Sequence, residues 1–124
     1  MKADILTRED VQLLVDTFYD QVKENPVIGY IFTDVAKVDW KHHLPKMYNF
    51  WSSIILGDQS YDGNPMLKHI ALGKQTPLGE TEFAEWISIF NSTVDALFTG
   101  PNADEAKLRA ANIARLMLFK VQTR

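Results

Sequence analysis

The stretch NPMLKHIALG, residues 64–73, sets one histidine, His69, in a segment that is otherwise almost wholly apolar. Its reading decides whether the surrounding helices close only on one another or around something they hold. Asn64 followed by Pro65 is an N-cap with proline at the first helical position, and Gly73 is the matching stop. The spacing therefore predicts a short helix of about two turns over 65–72. The imidazole stands among Met66, Leu67, Ile70 and Leu72. By default such a histidine is a satisfied core or surface residue.

Outward from this segment the chain reads as helices punctuated by Gly and Pro. Thr7 and Asp10 form a capping-box signature, after which Val11, Leu14, Val15, Phe18 and Val22 recur at helical spacing until Asn25-Pro26. VIGYIF, 27–32, is too short to assign by periodicity, and TDVAKVD, 33–39, reads as a loop. A second long helix is expected from near Asp39 to Leu56, ended by Gly57, with Leu44, Met47, Trp51, Ile54 and Ile55 on one broad face. Pro45 should kink that helix or move its start towards Leu44, because an interior proline costs about 3 kcal/mol. A third helix is expected after Thr81, carrying Phe83, Trp86, Ile87, Phe90, Val94 and Leu97, and ending before Gly100-Pro101. The last opens with Asp104 and Glu105 and closes with Lys120 and Arg124, charges placed as the helix dipole favours. No segment alternates as a half-buried strand does, so the chain is expected to be all-α.

The 124 residues fit a single domain spanning 1–124, long enough to bury its own core. A hydrophobic content of 46% argues against disorder. Thirteen basic and sixteen acidic side chains give a net charge of −3, and neither sign gathers into a run. Nucleic acid and anionic membrane are therefore not expected as partners. No apolar segment approaches the ~20 residues of a membrane span, and the N-terminus turns acidic before a signal-type apolar region builds up. The expected compartment is the cytoplasm. The absence of cysteine fits it and removes disulfides, thiolate catalysis and thiolate metal sites together.

The three histidines do not form a zinc site. His42 and His43 are adjacent, so on a helix they diverge by about 100 degrees, and neither has a partner His or Glu three or four residues away. HExxH and the Glu-x-x-His pairs of di-iron bundles are absent. No serine or threonine sits in a nucleophile elbow, and no glycine loop could cradle phosphate. Two readings stay open on the residues alone. In one, Tyr19, Phe32, Trp51 and Trp86 are core, His69 is packed, and the protein is a cofactor-free helical adaptor or structural domain. In the other, the aromatics line a slot for a flat cofactor. Haem asks only one strong axial ligand of the protein, commonly a neutral histidine, and an apolar slot with a distal pocket. A lone His69 would suffice, its second ring nitrogen donating to a backbone carbonyl.

Five stretches in order carry a family resemblance: VDTFYDQV with Tyr19, IGYIF with Phe32, DWKHHLPKMYNFW with His43 and Trp51, YDGNPMLKHIAL with His69, and FAEWISIF with Trp86. Over roughly residues 8–120 the chain resembles the truncated haemoglobins, and within them the bacterial third group. The Trp-x-x-His then Asn-Phe-Trp pattern, and the Gly-x-Pro ahead of His69, point to that group. The resemblance implies a shortened globin fold, a two-over-two helical sandwich around haem b. It makes His69 the proximal iron ligand and Phe32 the phenylalanine that stacks on the haem, with Met47, Phe50 and Leu72 also on the cofactor. Tyr19, His43 and Trp86 become the distal, ligand-facing residues; His42, beside His43, is a competing imidazole for the iron-facing place and is expected to face solvent.

The function implied by the resemblance is that of an oxygen-binding haem protein, in the broad class of oxygen carriers, that also takes CO, NO or peroxide. A tyrosine hydroxyl and an indole N–H both donate to a ligand carrying partial negative charge. Such a pocket holds oxygen firmly and suits redox or detoxification chemistry better than delivery. Nitric-oxide dioxygenase or peroxidase-like activity, served by an unidentified electron donor, is the expected direction.

Overall fold

The structure, a computed structural model, describes residues 2–35, 37–58 and 78–122. The helix expected over 65–72, with His69 and Leu72, lies outside the described residues. Four long helices occur among them: α1, Arg8–Glu24; α2, Trp40–Leu56; α3, Glu80–Leu97; and α4, Pro101–Gln122. Helices α1 and α2 pack on each other, as do α3 and α4, and the two pairs meet through α1 on α3 and α2 on α4. This is the two-over-two helical sandwich that the resemblance implies. No described helix is long and apolar enough to cross a membrane.

Helix α1 begins where the capping box directs. Thr7 Oγ1 accepts from the Asp10 backbone N–H at 3.2 Å, and the Asp10 carboxylate accepts from the backbone N–H groups of Thr7 and Leu6 at 3.1 and 2.9 Å. Val11, Leu14, Val15, Phe18 and Val22 are all buried, together with Tyr19. Helix α2 runs from Trp40 to Leu56 with Asp39 as N-cap, as expected, and its start is not moved towards Leu44, so Pro45 lies well inside it. Pro45 and Lys41, whose carbonyl loses its partner there, are both exposed, so water can satisfy the freed acceptor. Gly57, at φ +72°, ends α2 in the left-handed conformation.

Part of the segment expected as a loop is instead one π-helical turn, Ile31–Val35. The Val38 N–H donates to the Phe32 carbonyl at 2.9 Å and closes it. Helix α3 starts two residues earlier than expected, because the Glu82 carboxylate reaches back to the Gly79 N–H at 2.7 Å. Helix α4 starts at Pro101, and its cap comes from the other end of the chain. The Asp4 carboxylate accepts from the N–H groups of Asn102 and Ala103 at 3.0 and 2.8 Å, while Asn102 Nδ2 donates to the Ile5 carbonyl at 2.7 Å. Ala103, Ala106, Ala110 and Ala114 are buried along α4, small enough to let it approach closely.

Candidate haem pocket

Tyr19 is the centre of the candidate site. It lies in the last two turns of α1, is 5% exposed, and burial pushes its phenol well above the ordinary tyrosine range. The hydroxyl is therefore a neutral donor at any physiological pH. Around it stand four rings: Phe18, its neighbour on α1, at 4.9 Å, and from other elements Phe32 at 6.0 Å, Trp40 at 5.3 Å and His43 at 5.2 Å between centroids. Trp40 and His43 meet edge-on at 5.7 Å, and Phe32 stacks beside Trp40 at 6.2 Å.

Each element places its residue for a local reason. The π-helical turn presents Phe32 towards α1 and α2. The first turn of α2 carries Trp40 and His43 three residues apart, hence on one face. His43 N–H bonds the Asp39 carbonyl at 2.8 Å, and the His43 Nε2 is shut off from solvent. His42 points the other way, its side chain 75% exposed and its Nδ1 2.6 Å from the Asp39 carboxylate. That hydrogen bond lowers the Asp39 pKa. Of the two adjacent imidazoles, His43 joins Tyr19 and His42 faces solvent.

Trp86 is not in this ring cluster but one ring away. It meets Phe18 edge-on at 5.6 Å, and Phe18 meets Tyr19 at 4.9 Å. Next to it, Glu85 accepts from Asn25 Nδ2 at 2.8 Å, fixing α3 against the end of α1. Met47, one turn after His43, is half-buried against the core. Phe50 lies outside the ring cluster around Tyr19, meeting Trp51 edge-on at 5.3 Å and lining, with Ile54, Arg109, Asn112 and Ile113, a groove of about 230 Å³ between α2 and α4. Sequence reasoning gave Trp40 no role, although its spacing from His43 was the available signal. Lys23, whose Nζ lies 4.6 Å from the Trp40 ring centroid, offered none.

These residues fit haem on the distal side. A wall of Phe32 and Trp40 supplies aromatic surface, while a neutral phenol and a shielded imidazole supply the few polar groups such a pocket uses. Among the described residues no three His, Asp or Glu side chains gather to hold a bare metal ion.

Comparison with known proteins agrees. The family model for bacterial-like globins matches residues 4–119. The chain belongs to the bacterial-like globin family. This globin is 29% identical over 126 residues to the group 3 truncated hemoglobin ctb of Campylobacter jejuni, covering 97% of each chain. It also superposes on the crystal structure of group III truncated hemoglobin from Campylobacter jejuni with a TM-score of 0.83. There the identity is 27%, over 98% of this chain and 95% of the other. The globin is thus of the truncated type, similar to the third group, and membership carries haem binding and the uptake of small gaseous ligands such as dioxygen.

Proposed function

We propose that this globin is a cytoplasmic haem b protein that binds dioxygen, CO and NO. Its work is redox or detoxification chemistry, nitric-oxide dioxygenation or peroxide reduction, with electrons from a separate donor, rather than oxygen delivery. Haem, when bound, supplies a redox-active iron that takes up diatomic ligands. His69 would hold the iron through one ring nitrogen, and Phe32, Met47, Phe50 and Leu72 would contact the macrocycle. Tyr19 holds its proton on Oη because burial disfavours the phenolate, so it donates to a ligand that has gained electron density. Trp86 Nε1 can only donate, which gives the pocket the same preference. Phe18 spaces Trp86 from Tyr19, and Trp40 and Phe32 keep water from the phenol.

The observation that supports this reading most is the buried, neutral Tyr19 in ring contact with His43 and Phe32. It is tested by titrating the cofactor-free chain with haem. The expected result is quenching of the fluorescence of its three tryptophans, complete at one equivalent, and a raised melting temperature. The stabilisation should reach ~2.7 kcal/mol when free haem is a hundred times its dissociation constant. A melting temperature indifferent to haem would favour the cofactor-free helical domain.

A further inference from the structure

Trp40 meets three rings of the cluster, Tyr19 at 5.3 Å, His43 at 5.7 Å and Phe32 at 6.2 Å. Tyr19 and His43 meet in turn at 5.2 Å, so Tyr19, Trp40 and His43 form a closed triangle in which each ring braces the other two. The helix end that carries Trp40 and His43 is anchored along its axis at Asp39, whose carboxylate lies 2.6 Å from His42 Nδ1 and whose carbonyl accepts from the His42 and His43 backbone N–H groups at 3.0 and 2.8 Å. Packing of the indole against α1 adds a contact on the side that faces Tyr19. The indole itself is clamped from outside: the Lys23 ammonium sits 4.6 Å from its centroid, within the ~6 Å at which a cation is attracted to an aromatic face. Lys23 lies one turn beyond Tyr19 on α1, so one helix supplies both the phenol and the clamp.

We infer that Trp40, clamped by Lys23, is a positioning residue of the distal pocket that fixes the imidazole of His43 edge-on against Tyr19. It acts through His43 and Tyr19 and need not touch the bound ligand. The inference rests on the haem reading for its functional consequence, but the ring geometry stands by itself, which lets the two be tested apart.

The test reads two signals on the full chain with CO bound in the ferrous state. One is the chemical shift of the His43 ring protons, assigned by their loss in His43→Gln; edge-on packing against two aromatic rings displaces them from free-imidazole positions. The other is the C–O stretching band, which reports the electrostatic field of the distal side. In Trp40→Leu the His43 protons should move back towards free-imidazole positions, and the single C–O band should split as the imidazole samples more than one orientation. Trp40→Phe should restore both signals in large part. Lys23→Met, which keeps the aliphatic stem and removes the charge at an exposed position, should shift both signals in the same direction by less, and Lys23→Arg should restore them. If Trp40→Leu does not fold, the Lys23 pair decides. His43 shifts and a C–O band unchanged in Lys23→Met would overturn the clamp, and unchanged signals in a folded Trp40→Leu would overturn the positioning role. Failure of the wild type to give any CO-haem spectrum would contradict the haem reading instead, and the His43 shifts of the same variants would still decide the geometry.

Discussion

Replacing Tyr19 by Phe removes one oxygen atom from the centre of the distal cluster and little else. The ring contacts to Phe18, Phe32, Trp40 and His43 span 4.9 to 6.0 Å between centroids and belong to the aromatic carbons, so phenylalanine keeps them. What goes is the buried hydroxyl donor. A hydrogen bond of this kind contributes ~1 to 1.5 kcal/mol net. At about 1.4 kcal/mol per factor of ten, oxygen dissociation should accelerate roughly five- to tenfold. Stopped-flow replacement of oxygen by CO measures that rate directly, and thermal melting of the same sample checks that the fold is intact. An unchanged rate in a normally folded variant would remove Tyr19 from ligand stabilisation. The same substitution carries a pH signature. Because the folded-state pKa of Tyr19 is raised, the folded chain retains a proton that the unfolded chain loses above the ordinary tyrosine value of 10.0. Its contribution to stability is complete below that pH and declines as pH rises further. Tyr19→Phe should therefore flatten the alkaline fall in stability.

Three further outcomes concern the frame around the pocket. Asp4→Ala removes the carboxylate that accepts from Asn102 and Ala103 at the start of α4 and should cost ~1 to 2 kcal/mol in urea unfolding. Burial raises the Asp4 pKa, but its three backbone donors outweigh this and leave it below the ordinary 3.8. The stabilisation is thus present above that pH and is lost as acid carries the pH through the lower folded value, a loss that Asp4→Ala should not show. Gly100→Ala should also destabilise, since φ is +140° and an added Cβ would lie 2.5 Å from Asp4 Cγ. Combined with Asp4→Ala its cost should fall below the sum of the two, as a double-mutant cycle would show. Tyr48→Phe breaks the hydrogen bond from the Tyr48 hydroxyl to the Asp16 carboxylate between α2 and α1, at about 1 kcal/mol. Burial and then Asp16 push the Tyr48 pKa up to about 12, so this bond too should weaken on the alkaline side, between about pH 10 and 12.

Local rules carried most of the fold. The Thr7–Asp10 box, the stop at Gly57 and the apolar periods of α1 and α3 are decided within a few residues, and the helices begin and end close to those signals. Where expectation and structure part, the cause lies outside the local window. Pro45 does not delay α2 because its freed carbonyl faces water, which no local rule for proline anticipates. The cap of α4 comes from Asp4, some 98 residues away, so no signal near Pro101 could announce it. The π-helical turn over Ile31–Val35 lies in a segment with too few residues for any period to show.

The candidate site divides the same way. Tyr19 reads as core by default and is core, and only its ring neighbours support the distal role proposed for it. The resemblance to truncated haemoglobins singled out Tyr19, Phe32 and His43, which the fold brings together; Trp86 stands one ring away behind Phe18. Trp40 was visible in the Trp-x-x-His pattern, yet its contact with Lys23 needs the angle between α1 and α2, which no stretch of sequence contains.

The most direct test of the central claim is the visible absorption spectrum of the haem-loaded chain in ferric, ferrous and ferrous CO states, recorded beside His69→Gly prepared identically. A stoichiometric globin-type CO complex in the wild type, lost in His69→Gly and recovered with added imidazole, is the predicted result. A featureless wild-type spectrum would contradict the haem account, and a CO complex of unaltered strength and spectrum in His69→Gly would contradict the assignment of the proximal ligand.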